Sequence, residues 1–492
     1  MMMRLSRVAV AMTLPFVVVL SSCSVGPDFH RPAVSVPARW DEVSGSTGVS
    51  PLAPVPIDPQ WWRVFDDAEL SSLIDRVAAS NLDVRAATSR LRQSRAERRA
   101  IGADALPGVK GHAAYQRAQA STDGLVDPSG KNGERPYNVW QSGFDASWEL
   151  DIWGRVRREN EAADASVEAS ADARRDVLLS VLAETARDYI QLRAVQEKSA
   201  VINQSLGVAR HSLQLTRIRF SNGVATNLQV AEASSQVALV DAQLPLQQQL
   251  QAHLINALSY LLAAPPRALA DELRERTGIP PVPPQIPLGL PSELAERRPD
   301  VRQAEAVLHA ATADVGVAVS DFYPRITLSG DAGLQALQFS TLGTWGSRIF
   351  GVGPAISLPI FEGGRLRGTL DLRRAQQQEA AIHFQETVLS AWHEIDNGLA
   401  DYAATQHRLD QLNEALRQDQ LALDEAQRRY AVGLDDLQQV LVKQKTLLAT
   451  RAEVIDGSAD QSIALVALYK SLGGGWEVTF PVTPRSRSAS SR

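Results

Sequence analysis

Residue types that catalyse reactions or bind metals are sparse in this 492-residue chain. His393 and Glu394 begin the spacing of a zinc-protease helix, but Asn397 stands where that helix needs its second histidine. The other seven histidines are scattered, without the spacing of metal ligands. Gly351-x-Gly353 lacks the third glycine of a nucleotide-binding loop and lies in a stretch with strand periodicity. These observations predict a protein that is not an enzyme and has no metal site.

Cys23, the only cysteine, offers a different chemistry, which is covalent attachment of lipid. Residues 1–22 place two arginines ahead of an apolar run, the pattern of an export signal peptide. Leu20-Ser21-Ser22-Cys23 resembles the bacterial lipobox, whose cysteine receives an S-diacylglycerol and an N-acyl group and becomes the mature N-terminus. A stray cysteine near a cleavage site is the alternative. Ser24, rather than aspartate, follows, and by resemblance to lipoprotein sorting signals this indicates the outer membrane.

Residues 138–153 alternate between apolar and polar side chains, which predicts a strand because neighbouring side chains point to opposite faces. The strand is long enough to cross a bilayer at a tilt, and it has tryptophans near both ends. A soluble strand with one buried side would show the same alternation. We expect the following residues to face lipid: Trp140, Phe144, Ala146, Trp148 and Leu150.

The chain contains an internal duplication, since the motif around Gly154-Arg155 recurs 210 positions later around Gly364-Arg365. Each copy is predicted to run helix, strand, loop, strand, long helix, turn, helix. The predicted organisation is a signal peptide (1–22), an extended arm (23–65), a first repeat (66–264), a proline-rich linker (265–297), a second repeat (298–472) and a C-terminal tail (473–492).

A long helix is predicted at residues 155–221, which contain no proline and a single glycine, and the duplication predicts a second long helix in the other half. As one helix this stretch would measure roughly 100 Å, so it must lie against other helices. Seven-residue repeats of leucine and aromatic residues, such as Leu206 and Leu213, predict coiled-coil packing. Glycines end both long helices, and Thr226 and Asp436 have the spacing to cap the helices that return. Each half is therefore predicted to form a long antiparallel hairpin.

The net charge of −6 gives no support for a nucleic-acid partner. No stretch after the signal peptide is apolar enough for a transmembrane helix. A membrane function therefore depends on the strands.

Taken in order, several motifs resemble the TolC family, and the lipidated OprM branch (NodT-like) of multidrug efflux outer-membrane proteins is the most similar. The motifs lie at residues 148–155, 296–301, 429–433 and 468–476. The resemblance implies an α+β membrane protein that assembles as a homotrimer. Four transmembrane strands per chain would close a twelve-stranded β-barrel, and the hairpins would form an α-barrel tunnel. Physics agrees, because lipid cannot satisfy the open edges of a four-stranded sheet.

The same resemblance implies the outer-membrane channel of a tripartite efflux pump, which passively conducts drugs or other small toxic compounds. Its partners would be a periplasmic adaptor, an inner-membrane transporter of the proton-driven RND type, and outer-membrane lipid. The chain would be lipid-anchored in the outer membrane and extend into the periplasm. An outlet for type I protein secretion or metal efflux is the alternative within this fold. A lipid-anchored coiled-coil scaffold without a pore is a remote alternative, which the alternating strands argue against.

The resemblance also locates a periplasmic aperture at the turns of the hairpins. Adaptor contacts carry over to Asn222, Gly223, Val224, Val432, Gly433 and Leu434. Relatives commonly place an acidic residue nine positions after the second turn glycine, where this chain has Val442, with Gln438 four positions earlier. An acidic ring is rebuilt from Asp435, Asp436 or Glu232, or neutral residues close the aperture. We expect closure to depend on contacts of charged and hydrogen-bonding residues at the turns, which are Arg219, Arg429, Tyr430, Asp435 and Asp436.

Overall fold

The structure of the chain is a computed structural model. The structure describes residues 24–32, 52–53, 58–123, 129, 135–275, 277–283, 286–287 and 297–481. Cys23, the predicted signal peptide and most of the predicted arm lie outside the described residues.

The described residues form six strands and eight α-helices. The strands are β1 (Leu52–Ala53), β2 (Gly108–Ala118), β3 (Tyr137–Glu149), β4 (Ile286–Pro287), β5 (Arg325–Ala336) and β6 (Arg348–Ser357). The helices are α1 (Ala68–Ser80), α2 (Leu82–Gly102), α3 (Arg155–Ser221), α4 (Asn227–Asp241), α5 (Leu244–Leu261), α6 (Pro299–Ser320), α7 (Arg365–Ala431) and α8 (Leu437–Ser471). None of these helices is both long enough and apolar enough to span a membrane.

The two longest helices, α3 and α7, have 67 residues each and occupy equivalent places in the two halves of the sequence. Each is followed by a tight turn through a glycine with positive φ, Gly223 (73°) and Gly433 (78°), a conformation that glycine adopts without steric cost. Thr226 and Gln229 form a reciprocal capping box at the start of α4, and Asp436 caps α8. The predicted long helices and the predicted caps are confirmed.

The chain divides into two compact units. A strand unit comprises Met1–Pro32, Leu91–Ser170 and Ala304–Phe384, and a helical unit comprises Ala33–Arg90, Ala171–Gln303 and Gln385–Arg492. The strand unit contains one antiparallel sheet in the order β2-β3-β5-β6. In the helical unit, the main hydrophobic core joins α1, α5, α8 and the middle parts of α3 and α7.

The prediction of a strand to residue 153 is wrong at its end, because β3 ends at Glu149. Leu150 lies beyond the strand, although its N–H still donates to the carbonyl of Ile326 at 2.8 Å. Asp151 then accepts hydrogen bonds from the backbone N–H groups of Val156 and Arg157, both at 3.0 Å. The carboxylate satisfies donors that the first turn of α3 leaves free, so helix capping overrides the alternating pattern.

The predicted arm and tail both contain residues of the hydrophobic core. Trp61 and Phe65 lie in a 3₁₀ helix (Trp61–Phe65) and are completely buried, and Trp61 stacks on Tyr469 at 5.6 Å. Trp476 is also buried, and its indole N–H donates to the carbonyl of Gly473 at 2.9 Å. Burial of these large aromatic side chains holds Trp61–Phe65 and Trp476 in the fold. The arm therefore ends before Trp61, and the folded part of the tail extends past Trp476.

Candidate functional site

The register of the four-stranded sheet separates apolar from polar side chains. Trp140 lies opposite Tyr115 on β2 and Ala336 on β5, while Ala146 lies opposite Val109 and Gly330. We call this side the apolar face. On the edge strand β6 it consists of Arg348, Phe350, Val352, Pro354 and Ile356. Phe350 is 86% exposed and Val352 80% exposed, which marks a surface that another medium or molecule covers.

Aromatic residues lie at both ends of the apolar face. At the end where the strands are joined by loops (the loop end), Trp140 contacts Tyr115 at 4.3 Å and Phe339 at 4.9 Å between ring centroids. Towards the opposite end (the helix end), the indole N–H of Trp148 donates to the carbonyl of Ala105 at 3.1 Å. Trp140 and Trp148 are eight positions apart along the strand, a distance of about 26 Å, which is close to the roughly 25 Å apolar band of outer-membrane barrels.

The polar face of the same sheet carries charged residues that the sequence analysis did not single out. Asp145 lies opposite Lys110 on β2 and Asp331 on β5. Its carboxylate is 2.9 Å from Nδ1 of His112. The alternation in β3 contained this signal, because Asp145 occupies a position of opposite parity to Trp140 and Phe144.

The segment directly after Cys23, residues 24–32, is held against the strand unit, and we call it the strap. The N–H of Val25 donates to the carbonyl of Trp153 at 3.0 Å. Arg158, whose side chain is almost fully buried, donates to the carboxylate of Asp28 at 2.5 Å. This hydrogen bond and the adjacent positive charge lower the pKa of Asp28. Phe29 also stacks on His309 at 4.4 Å, so the strap is bound by both polar and aromatic contacts.

The helical unit presents the two turns predicted to meet an adaptor. Asn222 and Gly223 are exposed at the first turn, and Gly433 is exposed at the second. The apolar side chains at the turns are also exposed, with exposed fractions of 70% for Val224, 71% for Val432 and 70% for Leu434. Exposed apolar side chains on two neighbouring turns are typical of a surface that binds a partner.

Four of the predicted aperture residues form two pairs beside these turns. The guanidinium of Arg219 donates to the hydroxyl of Tyr430 and lies 4.8 Å from the centre of its ring. Nε of Arg429 donates to Oδ2 of Asp435 at 2.7 Å. The first pair joins the end of α3 to the end of α7, whereas the second stays within the α7–α8 turn.

The other predicted aperture residues do not join these pairs. Asp436 accepts a hydrogen bond from the N–H of Gln439 at 3.0 Å and caps α8. Glu232 is half-buried on α4, while Gln438 and Val442 are exposed on α8. Within the described residues, no hydrogen bond or ion pair links Glu232, Gln438 or Val442 to either pair.

A buried charge cluster in the helical unit escaped the sequence analysis. Arg193 on α3 is completely buried and donates to Glu69 at 2.6 Å and to the hydroxyl of Tyr189 at 3.0 Å. The Tyr189 hydroxyl donates in turn to Asp67 at 2.9 Å, and burial raises the pKa of Tyr189 to about 12. Sequence spacing gave no signal for this cluster, because Arg193 and Glu69 are 124 positions apart.

A family model described as outer membrane efflux protein matches residues 73–264 and 290–474, which is most of the chain. The chain belongs to this family. The pyoverdine export outer membrane protein OpmQ of Pseudomonas aeruginosa is 32% identical over 93% of this chain and 95% of its own length. Outer membrane protein OprJ of the same species is 33% identical over 93% of this chain and 94% of its own length.

The structure of the outer-membrane channel OprN matches with a TM-score of 0.86 and 32% identity, covering 92% of this chain and 100% of that chain. The outer membrane efflux proteins are channels and not enzymes. Membership confirms the predicted family, efflux role and outer-membrane location. The architecture agrees at the level of a mostly helical chain with one small antiparallel sheet.

Proposed function

We propose that this protein is the outer-membrane channel of a tripartite efflux pump and that it passively conducts drugs or other small toxic compounds to the exterior. The observation that carries the proposal is the sheet, whose apolar face is widely exposed while Asp145 and Asp331 lie on its polar face. Such a sheet suits a barrel with lipid outside and water inside. The name of OpmQ, a pyoverdine export protein, supports export of small molecules.

The proposed assembly is a homotrimer. The strands β2 and β6 are the two outer strands of the described sheet, and each offers one edge for pairing. Lipid cannot hydrogen-bond to these backbone groups, so the edges must pair with other copies. If β6 of one copy pairs with β2 of the next, three chains close a twelve-stranded β-barrel. The hairpins formed by α3 to α5 and by α7 to α8 would then surround an α-barrel tunnel.

The partners follow from the two ends of this assembly. Exposed Val224, Val432 and Leu434 beside the turn glycines fit a periplasmic adaptor, which would connect the channel to an inner-membrane RND transporter. The pairs Arg219–Tyr430 and Arg429–Asp435 support a closure at the turns that depends on hydrogen bonds. Such contacts are individually weak, but threefold symmetry would repeat each one around the aperture.

The proposed membrane attachment is twofold, through the apolar face and through acyl groups on Cys23. The strap supports the second part, because it holds Ser24 beside Gly154: a Cβ built on Gly154 would lie 2.7 Å from the Ser24 hydroxyl. Cys23 is covalently bonded to Ser24, so the strap would keep the lipid near the helix end of the sheet.

Conductance of the purified protein in a planar bilayer tests the proposal. Discrete open channels are expected, together with greater drug susceptibility of a host that lacks the gene. A host that instead loses protein export or metal tolerance, with drug susceptibility unchanged, would favour the type I secretion or metal-efflux alternative. A correctly folded protein that never conducts would favour the scaffold without a pore.

A further inference from the structure

The apolar face contains two charged residues among its described strand positions, and both are arginines. Arg117 lies on β2 opposite Asn138, and Arg348 lies on β6 opposite Leu334. Both residues are exposed and both lie at the loop end of the sheet. The face is thus apolar along its length and cationic at one end.

The helix end of the same face differs. Its cross-strand pairs are Ile326 with Ile356 and Leu328 with Pro354, with Trp148 beside Leu328 on β3. If these arginines served only to reach interfacial water with their charged groups, arginines would be equally useful at both ends of a membrane-spanning strand. The restriction to one end points instead to a chemical difference between the two leaflets that these ends meet.

The surroundings of Arg348 are those of a lipid headgroup region. Its guanidinium lies 3.2 Å from the centre of the Trp345 ring, and Trp345 is 79% exposed. The exposed Phe339 and the Tyr115–Trp140 pair lie at the same end of the face. Aromatic rings favour the boundary between hydrocarbon and headgroups, so they place both guanidinium groups at the depth of lipid phosphates.

The two arginines also lie on the two outer strands of the sheet. In the homotrimer proposed above, on which this inference rests, β6 of one copy pairs with β2 of the next. Arg348 of one copy and Arg117 of its neighbour would then border the same seam, and three such seams would surround the barrel. A guanidinium binds a phosphate through two parallel hydrogen bonds, and two guanidinium groups can share one phosphate group.

We propose that Arg117 and Arg348 form a binding site for the phosphate groups of the glycolipid in the outer leaflet of the outer membrane. The helix end leads into α3 and α7, which in this family extend into the periplasm, so the loop end meets the outer leaflet. Lipid A, which carries phosphate groups on a sugar headgroup, is the probe that fits this chemistry. The site would tie the lipid to the subunit seam and stabilise the trimer.

The test measures binding of bisphosphorylated lipid A to the purified, detergent-solubilised trimer by native mass spectrometry. We expect the double variant Arg117→Gln/Arg348→Gln to bind lipid A about tenfold more weakly than the wild type. Arg348→Lys should fall between them, because lysine retains the charge but not the paired hydrogen bonds. The matched control is Lys110→Gln/Arg325→Gln, which removes two positive charges from the polar face and should bind as the wild type does.

Two further arms identify the ligand. Lipid A without its phosphates should bind equally weakly to the wild type and to the double variant. Inorganic phosphate at a concentration equal to that of lipid A should not displace intact lipid A. Equal binding of lipid A by wild type and double variant, or displacement by inorganic phosphate, overturns the lipid site. Conductance is recorded for the same samples in neutral lipid. A wild type that conducts but does not bind lipid A defeats this inference alone, whereas a wild type that forms no channels defeats the proposed function.

Discussion

Gly26 of the strap and Gly316 of α6 approach so closely that a Cβ built on Gly26 would lie 2.5 Å from the Cα of Gly316. Gly26 also has φ of +92°, where side chains are strained. Arg158 also packs against Gly316, since a Cβ built on Gly316 would lie 2.9 Å from its side chain. The strap is therefore fixed by steric fit as well as by hydrogen bonds.

Gly26→Ala is expected to release the strap. The measurement is hydrogen exchange of the Val25 amide, which donates to Trp153 in the docked strap. Gly278→Ala is the matched control, because Gly278 has φ of +86° but nothing within 4 Å of a built Cβ. Both variants suffer roughly 1–2 kcal/mol of backbone strain, and only Gly26→Ala should speed exchange at Val25. Equal protection in the two variants would show that steric fit does not hold the strap.

Cys23→Ser should abolish incorporation of labelled palmitate while leaving trimer assembly intact. Barrel insertion supplies far more apolar contact than acyl chains do, so the anchor is not needed for assembly. Exchange at Val25 should also be unchanged, since hydrogen bonds and ring stacking to the protein hold the strap. Absence of label in the wild-type protein would refute the lipobox interpretation.

Charge at Ala146 should destabilise the membrane-inserted trimer by about 2–4 kcal/mol, because this residue lies on the apolar face. The same charge at the adjacent Ser147 should be tolerated, since Ser147 lies on the polar face opposite Ser329. The measurement is the yield of folded trimer after refolding of Ala146→Arg and Ser147→Arg into vesicles. Similar yields would mean that the apolar face does not meet lipid.

Asp435→Ala should raise the resting conductance and weaken the preference for cations, because it removes the acceptor of Arg429. Asp436→Ser provides the control, since serine can still accept the capping hydrogen bond from Gln439 and should leave gating unchanged. Glu232→Gln is expected to change selectivity more than closure. Conductance and reversal potential are measured in asymmetric salt. If the Asp435→Ala channel behaves as wild type in both, a neutral closure near Val442 becomes the better account.

Arg193→Ala should destabilise the helical unit by about 3 kcal/mol, because it leaves buried Tyr189 and the half-buried carboxylates of Glu69 and Asp67 without their cation. Arg210→Ala on the same helix is the control: its side chain is 62% exposed and lies 3.8 Å from the exposed carboxylate of Asp241, so the expected loss is about 0–1 kcal/mol. Midpoints of chemical denaturation, followed by helical circular dichroism, compare the two. A similar shift in both variants would contradict the role assigned to Arg193.

Features set by local sequence were predictable. The lack of proline in α3, the glycines at both turns and the caps at Thr226 and Asp436 all act within a few residues, and the alternation in β3 fixes which side chains share a face. The end of β3 was not predictable from alternation, because Asp151 stops the strand by capping a helix that follows it.

Contacts between distant residues were also missed, since sequence spacing does not show them. Arg193 meets Glu69 across 124 positions, and Arg158 meets Asp28 across 130. A lone charged residue on a long helix looks the same in the sequence whether it is solvated or buried. At the turns, the spacing predicted that Asp436 caps α8, but it could not show that Asp435 accepts the hydrogen bond from Arg429.

The two returning segments of the hairpins are unequal. In the first hairpin the helix is interrupted between α4 and α5, where Pro245 cannot donate to the helical hydrogen-bond ladder. In the second, α8 passes through the equivalent position, Ile455, without a break. In a ring of three such chains, interrupted returning segments (α4 and α5) would alternate with continuous ones (α8). Dilation of its mouth would concentrate bending at three hinges, so the opening would widen as a triangle rather than as a circle.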